Sequence, residues 1–487
     1  MQYKRKLITT LLIGSGIISA PQVALANDSS ELEQLRALVQ ELDQKVRVLD
    51  RKNELADEAA AAAKKETPIV SASENGFGFK SADGKNEIRF RALAQIDYRN
   101  FTNGSNDTKN IDGFDFRRIR PSVEGTLYGK YDFRFVPEFG DNKTTSNSGI
   151  VDAYIDARFK PWFQVRAGKF KPYVGLERLQ SGGDIKFIER SFVSNNILPN
   201  RDVGASVHGD LFEGKLNYAV GVYNGVVDGG DNVTSQDTNG DKEYAVRLFT
   251  TPFKGEDSIL EGLGFGLAAT HGNFTGTTTN TGLPNYKTPG QETNFFTYNA
   301  KLTSGSTTAY DSIVVGNGDR TRWAPQAYYY SGPFGIIAEY AVVTQDVKNT
   351  GSLAAVKNKT ATLDNDAWQI AASWLITGET ASFKGVKPKN NFDPDGAGWG
   401  AWELVARYQQ NNIDNSAFTN SVFADITKSA KSAKAWATGV NWYLNQNLKL
   451  AVNYEQTNFE GGGGGTVANP IDRPNEKTLF TRLQISY

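Results

Sequence analysis

The chain of 487 residues has no cysteine, one methionine and two histidines. Without thiols it can form no disulfide and use no cysteine chemistry. His208 and His271 are far apart in sequence. No Ser-His-Asp set, zinc-ligand spacing or phosphate-binding loop accompanies them. Asp237-Thr-Asn-Gly-Asp241 has part of the spacing of a calcium loop, but it lacks the full ligand series and reads as a turn. No catalytic residue, metal or cofactor is therefore expected, and an enzyme is a poor reading. Also missing, beyond the amino terminus, is any run of the ~20 apolar residues that a membrane helix needs. Charge of one sign is missing overall, with 53 Lys plus Arg against 54 Asp plus Glu, and no nucleic-acid partner is expected.

What the chain does have is alternation. In the last nine residues Leu479, Thr481, Leu483, Ile485 and Tyr487 share one face of a strand, and Phe480, Arg482, Gln484 and Ser486 share the other. Period 2 gives such a strand one face for lipid and one for water. Ending on an aromatic residue, it resembles the closing strand of a Gram-negative outer-membrane barrel. At the other end, Lys4, Arg5 and Lys6 precede a short apolar run from Leu7 to Ala20, and Ala24-Leu25-Ala26 fits a cleavage site. Residues 1–26 read as an export signal, too short in its apolar run to stay as a spanning helix. An exported chain without membrane helices that is nonetheless membrane-bound must be a barrel. The 28 Phe, 20 Tyr, 8 Trp and 48 Gly suit alternating strands, interfacial girdles and turns. The mean hydropathy of −0.45 is that of a polar lumen and loops averaged with the wall.

The same alternation recurs. Ile88, Phe90, Ala92, Ala94, Ile96 and Tyr98 oppose Arg89, Arg91, Gln95, Asp97 and Arg99. Ile119, Val123 and Leu127 oppose Arg118, Arg120 and Glu124; Phe133 and Phe135 oppose Asp132 and Arg134. Val151 to Phe159 oppose Asp152 to Arg158, and Phe163, Val165 and Ala167 oppose Gln164 and Arg166. Weaker repeats fall at 203–211, 215–225, 242–251, 262–271, 294–303, 322–331, 334–344, 366–377, 400–409, 434–443, 447–456 and 478–487. With mergers this predicts about sixteen strands, an even number as single-chain barrels have, around a water-filled lumen. Links 211–215 and 443–447 read as periplasmic turns. Polar stretches 225–241, 272–293, 345–365, 410–433 and 457–477 read as outer loops, the Gly461–Gly465 run being a flexible loop.

Before the barrel the period changes. Leu32, Leu35, Val39, Leu42, Val46 and Leu49 alternate steps of three and four, as heptad positions a and d, with Asn53 and Ala56 in register. The spacing predicts a periplasmic coiled coil over 27–66; a single amphipathic helix on the barrel rim is the other reading. Residues 67–76 read as a linker to a barrel domain at 77–487.

Charge is uneven along the chain. Residues 85–201 hold 20 Lys plus Arg and 14 Asp plus Glu. A charge facing lipid costs about 2–4 kcal/mol near the midplane, so these arginines should face the lumen, where basic rings favour anions. The other reading is ordinary lumen charge, offset by Asp97, Asp132, Asp152 and Asp156. Segment 168–202 lacks alternation. Folded inward, it would bring Lys169, Lys171, Lys186 and Arg190 towards Arg118 and Arg120, a set suited to a phosphoryl oxyanion; folded outward, its charges would be solvated.

At these residues the chain resembles the phosphate-selective porin O and P family. The likeness rests on Phe116-Arg117-Arg118-Ile119-Arg120, Gly168-Lys169-Phe170-Lys171-Pro172, Glu189-Arg190-Ser191, Arg201-Asp202-Val203-Gly204, Trp399-Gly400-Ala401-Trp402-Glu403 and Gly439-Val440-Asn441-Trp442-Tyr443, in that order. It spans about residues 77–487. It implies a trimeric sixteen-stranded barrel with an inward third loop and an arginine-lined path to a lysine-containing constriction that binds phosphate or pyrophosphate. Carried over by position, Arg117, Arg118, Lys169 and Ser181 would lie near the constriction, with Arg89, Arg91 and Arg120 along the path. Arg134 and Arg166 join them from the inner faces of their strands.

The expected molecule is thus all-β: a transmembrane antiparallel barrel of about sixteen strands after a short α-helical coiled coil, in the outer membrane of a Gram-negative bacterium. Its expected partners are outer-membrane lipid, small anions such as phosphate, and two further copies of itself. Other readings are a porin for other small anions, such as dicarboxylates, a weakly selective porin, or a structural anchor that uses the coiled coil.

Overall fold

The computed structural model describes residues 28–74, 76–102, 111–140, 149–231, 240–290, 294–302, 310–352 and 354–487. The expected export signal lies outside them. The chain divides into two units, Met1–Thr67 and Pro68–Tyr487.

In the first unit a single helix, α1, runs Asp28–Glu66. At 1.5 Å per residue it is about 58 Å long. Ion pairs Glu41–Lys45 (2.7 Å), Asp43–Arg47 (2.9 Å) and Arg51–Glu54 (2.9 Å) lie one turn apart on its surface and add a few tenths of a kcal/mol each. Leu32, Leu35, Val39, Leu42, Val46 and Leu49 are all exposed in the single chain.

In the second unit sixteen strands, β1 to β16 in chain order, form the barrel wall. They are β1 Glu87–Phe101, β2 Gly113–Leu127, β3 Tyr131–Glu138, β4 Gly149–Lys160, β5 Phe163–Phe170, β6 Asp202–Leu211, β7 Leu216–Tyr223 and β8 Glu243–Thr250. The others are β9 Leu263–Thr275, β10 Tyr310–Ser331, β11 Phe334–Asn349, β12 Thr360–Leu375, β13 Ala401–Asn412, β14 Ala430–Tyr443, β15 Leu448–Gly465 and β16 Glu476–Ser486. Each pairs antiparallel with the next. The ring closes where Thr481 faces Tyr98 and Ser486 faces Leu93, so no edge is left in the wall.

Alternation sets the faces. On β16 Phe480, Arg482 and Gln484 are buried inward while Leu479, Leu483 and Ile485 face out. On β13 Glu403, Arg407 and Gln409 point in, and Leu404 and Tyr408 out. Two aromatic rows mark the borders of the outer band. Trp368–Tyr408 (5.5 Å) and Trp436–Tyr454 (5.5 Å) form one, and Phe334–Trp374 (5.8 Å) and Trp402–Trp442 (5.1 Å) the other. Such rings sit where hydrocarbon meets water.

One expected wall segment, 294–303, forms no wall strand over its described residues, 294–302; Ala300–Leu302 pairs only with the outer end of β10. The segment's Phe295, Phe296 and Tyr298 are buried with Tyr286, Phe192, Phe418, Phe423 and Phe459 in an apolar core inside the long-loop end. Packing against loops copies the pattern of a strand facing lipid. Several strands also run into stretches read as loops. β11 and β12 extend through Asp346, Thr362 and Asp364, whose outward side chains are polar above the apolar band. Hydrophobic alternation stops there while backbone pairing continues. For the same reason Gly461–Gly465, expected as a loop, ends β15 and pairs with Pro470–Asp472.

At the short-turn end two further elements matter. A hairpin, Ile69–Ser73 with Gly76–Lys80, adds to the start of β1, Phe77 facing Phe90. The link 376–400 between β12 and β13 is long and folds inward, burying Ala381 and Val386 against Leu375, Ala401 and Tyr443.

Candidate functional site

The segment between β5 and β6 crosses the lumen. Its backbone is held from strands on several sides. Gln95 Nε2 donates to Gly182 O (2.9 Å), Lys449 Nζ to Gly183 O (3.1 Å) and Asn441 Nδ2 to Lys186 O (2.8 Å). Arg482 Nη1 donates to Ile188 O (2.7 Å) and Arg407 Nη1 to Glu189 O (3.0 Å). In return Leu176 N donates to Glu339 Oε1 (2.6 Å), Ile188 N to Asn453 Oδ1 (2.7 Å) and Phe192 N to Gln409 Oε1 (2.8 Å). These partners stand on β1, β11 and β13 to β16. A loop with few helical turns of its own has its backbone groups satisfied by the wall. The space left open lies against β2 to β6.

Glu189 is the hub of the attachment. Its carboxylate accepts from Arg117 Nε (2.5 Å) and Nη2 (3.1 Å) and from Arg99 Nη2 (3.2 Å), with Arg482 at 3.9 Å. Burial alone would raise its pKa; Arg117 and Arg99 outweigh that and hold the carboxyl far below the usual range.

Two chambers occupy the open side. The one nearer the short turns, a cavity of 670 Å³, is lined by Arg91, Arg120, Arg134, Arg166, Lys171, Ser181, Arg201, Lys384 and Lys387, with Glu74, Asp152 and Asp184. The one nearer the long loops, 620 Å³, is lined by Arg117, Arg118, Arg120, Lys169, Arg178, Arg190, Arg201 and Lys287, with Glu138, Asp228 and Asp231. Among the described residues only Arg120 and Arg201 line both, so they form the neck. Each is steadied by an acid: Arg120 Nε on Glu138 Oε2 at 2.5 Å, Arg201 Nε on Asp152 Oδ1 at 2.9 Å.

The cations divide by partner. Arg91 and Arg134 share Glu124 (3.0 and 3.1 Å), and Arg166 binds Asp156 (2.5 Å) with its guanidinium 4.3 Å from the Tyr154 ring. Their charge is largely offset locally. Among the described residues, Arg118, Arg178, Arg190 and Lys171 have no carboxylate within 4.0 Å. Arg118 Nη1 donates to Gln95 Oε1 (2.6 Å), Arg190 Nη2 and Lys171 Nζ both to Gln180 O (2.7 Å each), and Arg178 to Ser194 O and Asn195 Oδ1 (3.3 Å). Carbonyl and amide partners satisfy donors without cancelling charge. Burial, and then the adjacent Arg178, push Arg190 below the ordinary arginine range; burial, then Arg190 and Arg201, hold Lys171 well below the ordinary lysine range.

Arg89 and Lys186 lie outside both chambers. Arg89 Nε sits 3.3 Å from Glu87, and Lys186 Nζ is 3.0 Å from the buried Glu403. Glu403 also accepts from Asn441 (3.0 Å) and Tyr443 (2.7 Å), so Lys186 helps anchor the crossing segment. Arg201 was visible in the sequence only as part of a family motif, and Lys384 and Lys387 carried no expectation. Their signal was the 376–400 link, which is too long for a turn and bears several lysines. It meets the crossing segment directly: Gln180 Nε2 donates to Phe383 O (2.7 Å), and a methyl added at Gly385 would lie 2.9 Å from Asp184 Oδ1.

The family described as phosphate-selective porin O and P matches over residues 88–460. The chain belongs to that family. It is an outer-membrane porin that prefers anions, a channel rather than an enzyme. Porin O of Pseudomonas aeruginosa is 24% identical over 413 residues, 79% of this chain and 86% of that protein. Many solved structures resemble the fold. The outer-membrane channel DcaP of Acinetobacter baumannii has a TM-score of 0.49 at 13% identity, covering 84% of this chain and 99% of that one. An anion-selective porin from Comamonas acidovorans has a TM-score of 0.48 at 10% identity, covering 82% and 100%.

Proposed function

We propose that this porin admits phosphate and related small oxyanions along the wall of β2 to β6, through the neck at Arg120 and Arg201. The observation that carries the reading is the uncompensated charge beside that neck. Arg118, Arg178 and Arg190 face the outer chamber with neutral partners only. A passing oxyanion supplies the negative charge they lack, and forked guanidinium donors match its oxygens. Lys169 and Lys171 stand on either side as point charges, and Ser181 adds a hydroxyl to the inner chamber. In this reading the short-turn end faces the periplasm, residues 1–26 are removed on export, and α1 lies in the periplasm. Its exposed apolar stripe is covered by the same helix of two further copies, so barrel and coiled coil together hold a trimer in the lipid.

The test is the purified full chain in a planar bilayer with a KCl gradient. The expected result is an anion-side reversal potential and a chloride current blocked by added phosphate, the block being relieved in Arg118→Gln. A cation-side potential, or no block, overturns the phosphate reading. Block by succinate but not phosphate would assign the site to dicarboxylates, and negligible conductance to a structural anchor.

A further inference from the structure

We propose that Glu74 is a fixed negative charge that meters anion flow at the short-turn mouth, making the channel rectify; this rests on the anion-porin reading above.

Glu74 stands at the tip of the Ile69–Ser73 and Gly76–Lys80 hairpin, which continues the sheet outward from β1. The tip does not hang free. Asn447 Nδ2, on the turn between β14 and β15, donates to Glu74 O (2.6 Å) and to Ser486 O (2.6 Å). The carboxylate Oε1 meets Lys387 Nζ at 3.0 Å. The hairpin thus reaches from the β1 side of the mouth to the 376–400 link, and Glu74, Asn447 and Lys387 all line the inner chamber.

Both members of the ion pair are wet: the side chains of Lys387 and Glu74 are 71% and 45% exposed. Such a pair adds little to stability, so its placement calls for another role. Of the acids lining the inner chamber, Asp152 is bound to Arg201 at the neck and Asp184 lies on the crossing segment. Glu74 is carried by a segment outside the barrel wall, at the rim of a chamber whose lining holds eight cations against the two other acids. A unit charge acting over ~10 Å of water changes local anion concentration about twofold. Because the charge sits at one end of the path, it acts more strongly on anions entering by that end, which is rectification. Lys387, 3.0 Å away, offsets part of that charge, and removing Glu74 releases its cation as well.

The chain has no cysteine, so Glu74→Cys in the full-length protein carries its only thiol. Single-trimer currents are read before and after a thiol-directed sulfonate, restoring −1, or a trimethylammonium of similar bulk, giving +1. The expected result is a chloride current up to about twofold higher in Glu74→Cys at ~0.01 M KCl, where the Debye length is about 30 Å, in the polarity that drives anions through this mouth. Sulfonate labelling returns it to the parent value and ammonium labelling raises it further. The differences vanish near 1 M salt, where the Debye length is about 3 Å. Currents indifferent to the charge installed, or both labels acting alike as steric blocks, overturn the proposal. The reversal potential of the parent, measured in the same membrane, separates the two failures. An anion-side value with charge-indifferent currents sinks this inference alone, and a cation-side value sinks the reading it rests on.

Discussion

Arg117 and Arg118 are neighbours in a β-strand, yet both side chains are buried inside the barrel. Strict alternation would send one into lipid. The register with β1 slips between Gln95, which faces Arg118, and Ile96, which faces Phe116. Arg117 is the extra residue of a bulge, and bulges re-aim side chains in this way. The bulge gives the two arginines different work. Arg117 holds Glu189 on the crossing segment, while Arg118 keeps a neutral partner and faces the chamber.

That division makes the first prediction. Arg117→Ala leaves the carboxylate of Glu189 with only Arg99 and the more distant Arg482, and should cost about 3 kcal/mol, the size of breaking a buried pair. It will be seen as a lower urea midpoint for the folded barrel. Arg118→Ala should leave that midpoint within ~0.5 kcal/mol. It should weaken phosphate block of chloride current about tenfold or more, a charged hydrogen bond contributing ~1.5–3 kcal/mol. Equal effects of the two substitutions on stability and block would refute the division.

Glu189→Gln is the reciprocal case. It leaves Arg99, Arg117 and Arg482 without their shared anion, and the crossing segment loses its main tie to β1, β2 and β16. The expected phenotype is a larger, noisier conductance, because a loosely held segment no longer fills its part of the lumen. Unchanged single-channel conductance and noise would show that the backbone bonds from Gln95, Asn441 and Arg407 suffice.

The wall of this barrel could be read from the sequence because lipid imposes a uniform demand on every outward residue. The last strand, with Leu479, Leu483 and Ile485 outward, is the clearest case. The failures lie where that demand ends. Above the apolar band Asp346 and Asp364 keep pairing without hydrophobic alternation, and inside the loops Phe296 and Tyr298 keep the period of a strand without belonging to the wall. Individual inward arginines were visible, but their partners were not. Whether a cation is offset by an acid from 72 residues away, as Arg117 is, depends on tertiary approach. Nothing in the local pattern separates it from Arg118.

Lys171 should impose a pH dependence. Its ammonium is disfavoured first by burial and then by Arg190 and Arg201, so its pKa lies well below the ordinary value, which is about 10.4. A lowered pKa means the positive charge is present at low pH and lost as pH rises through the shifted value. Anion selectivity should therefore decline on the alkaline side well before pH ~10.4, and Lys171→Arg, which cannot deprotonate there, should flatten the profile. Reversal potentials taken between about pH 6 and about pH 10 in both proteins check this; parallel profiles would acquit Lys171.

Helix α1 tests assembly apart from conduction. Leu42→Asp puts a charge into the middle of the apolar stripe, where a coiled coil would bury it, at a cost of several kcal/mol per trimer if three copies meet. The trimer should dissociate at lower detergent or temperature stress, read by native gel or light scattering, while the conductance of surviving channels stays as in the parent. Unaltered trimer stability would mean that the stripe has another partner.

The neck gives two substitutions of opposite sign. Arg201 lines both chambers and is held at 2.9 Å by Asp152. Asp152→Asn removes a negative charge, frees the guanidinium, and should move the reversal potential further to the anion side. Arg201→Gln removes the cation and leaves Asp152 beside Arg134, which is 3.9 Å away and already engaged by Glu124. The potential should then fall towards zero. Because the two residues form one pair, the double variant should lie between the single ones and near the parent, since its net change in charge is nil. Two single variants shifting the same way would show that the neck acts through its width, and that the pair is structural.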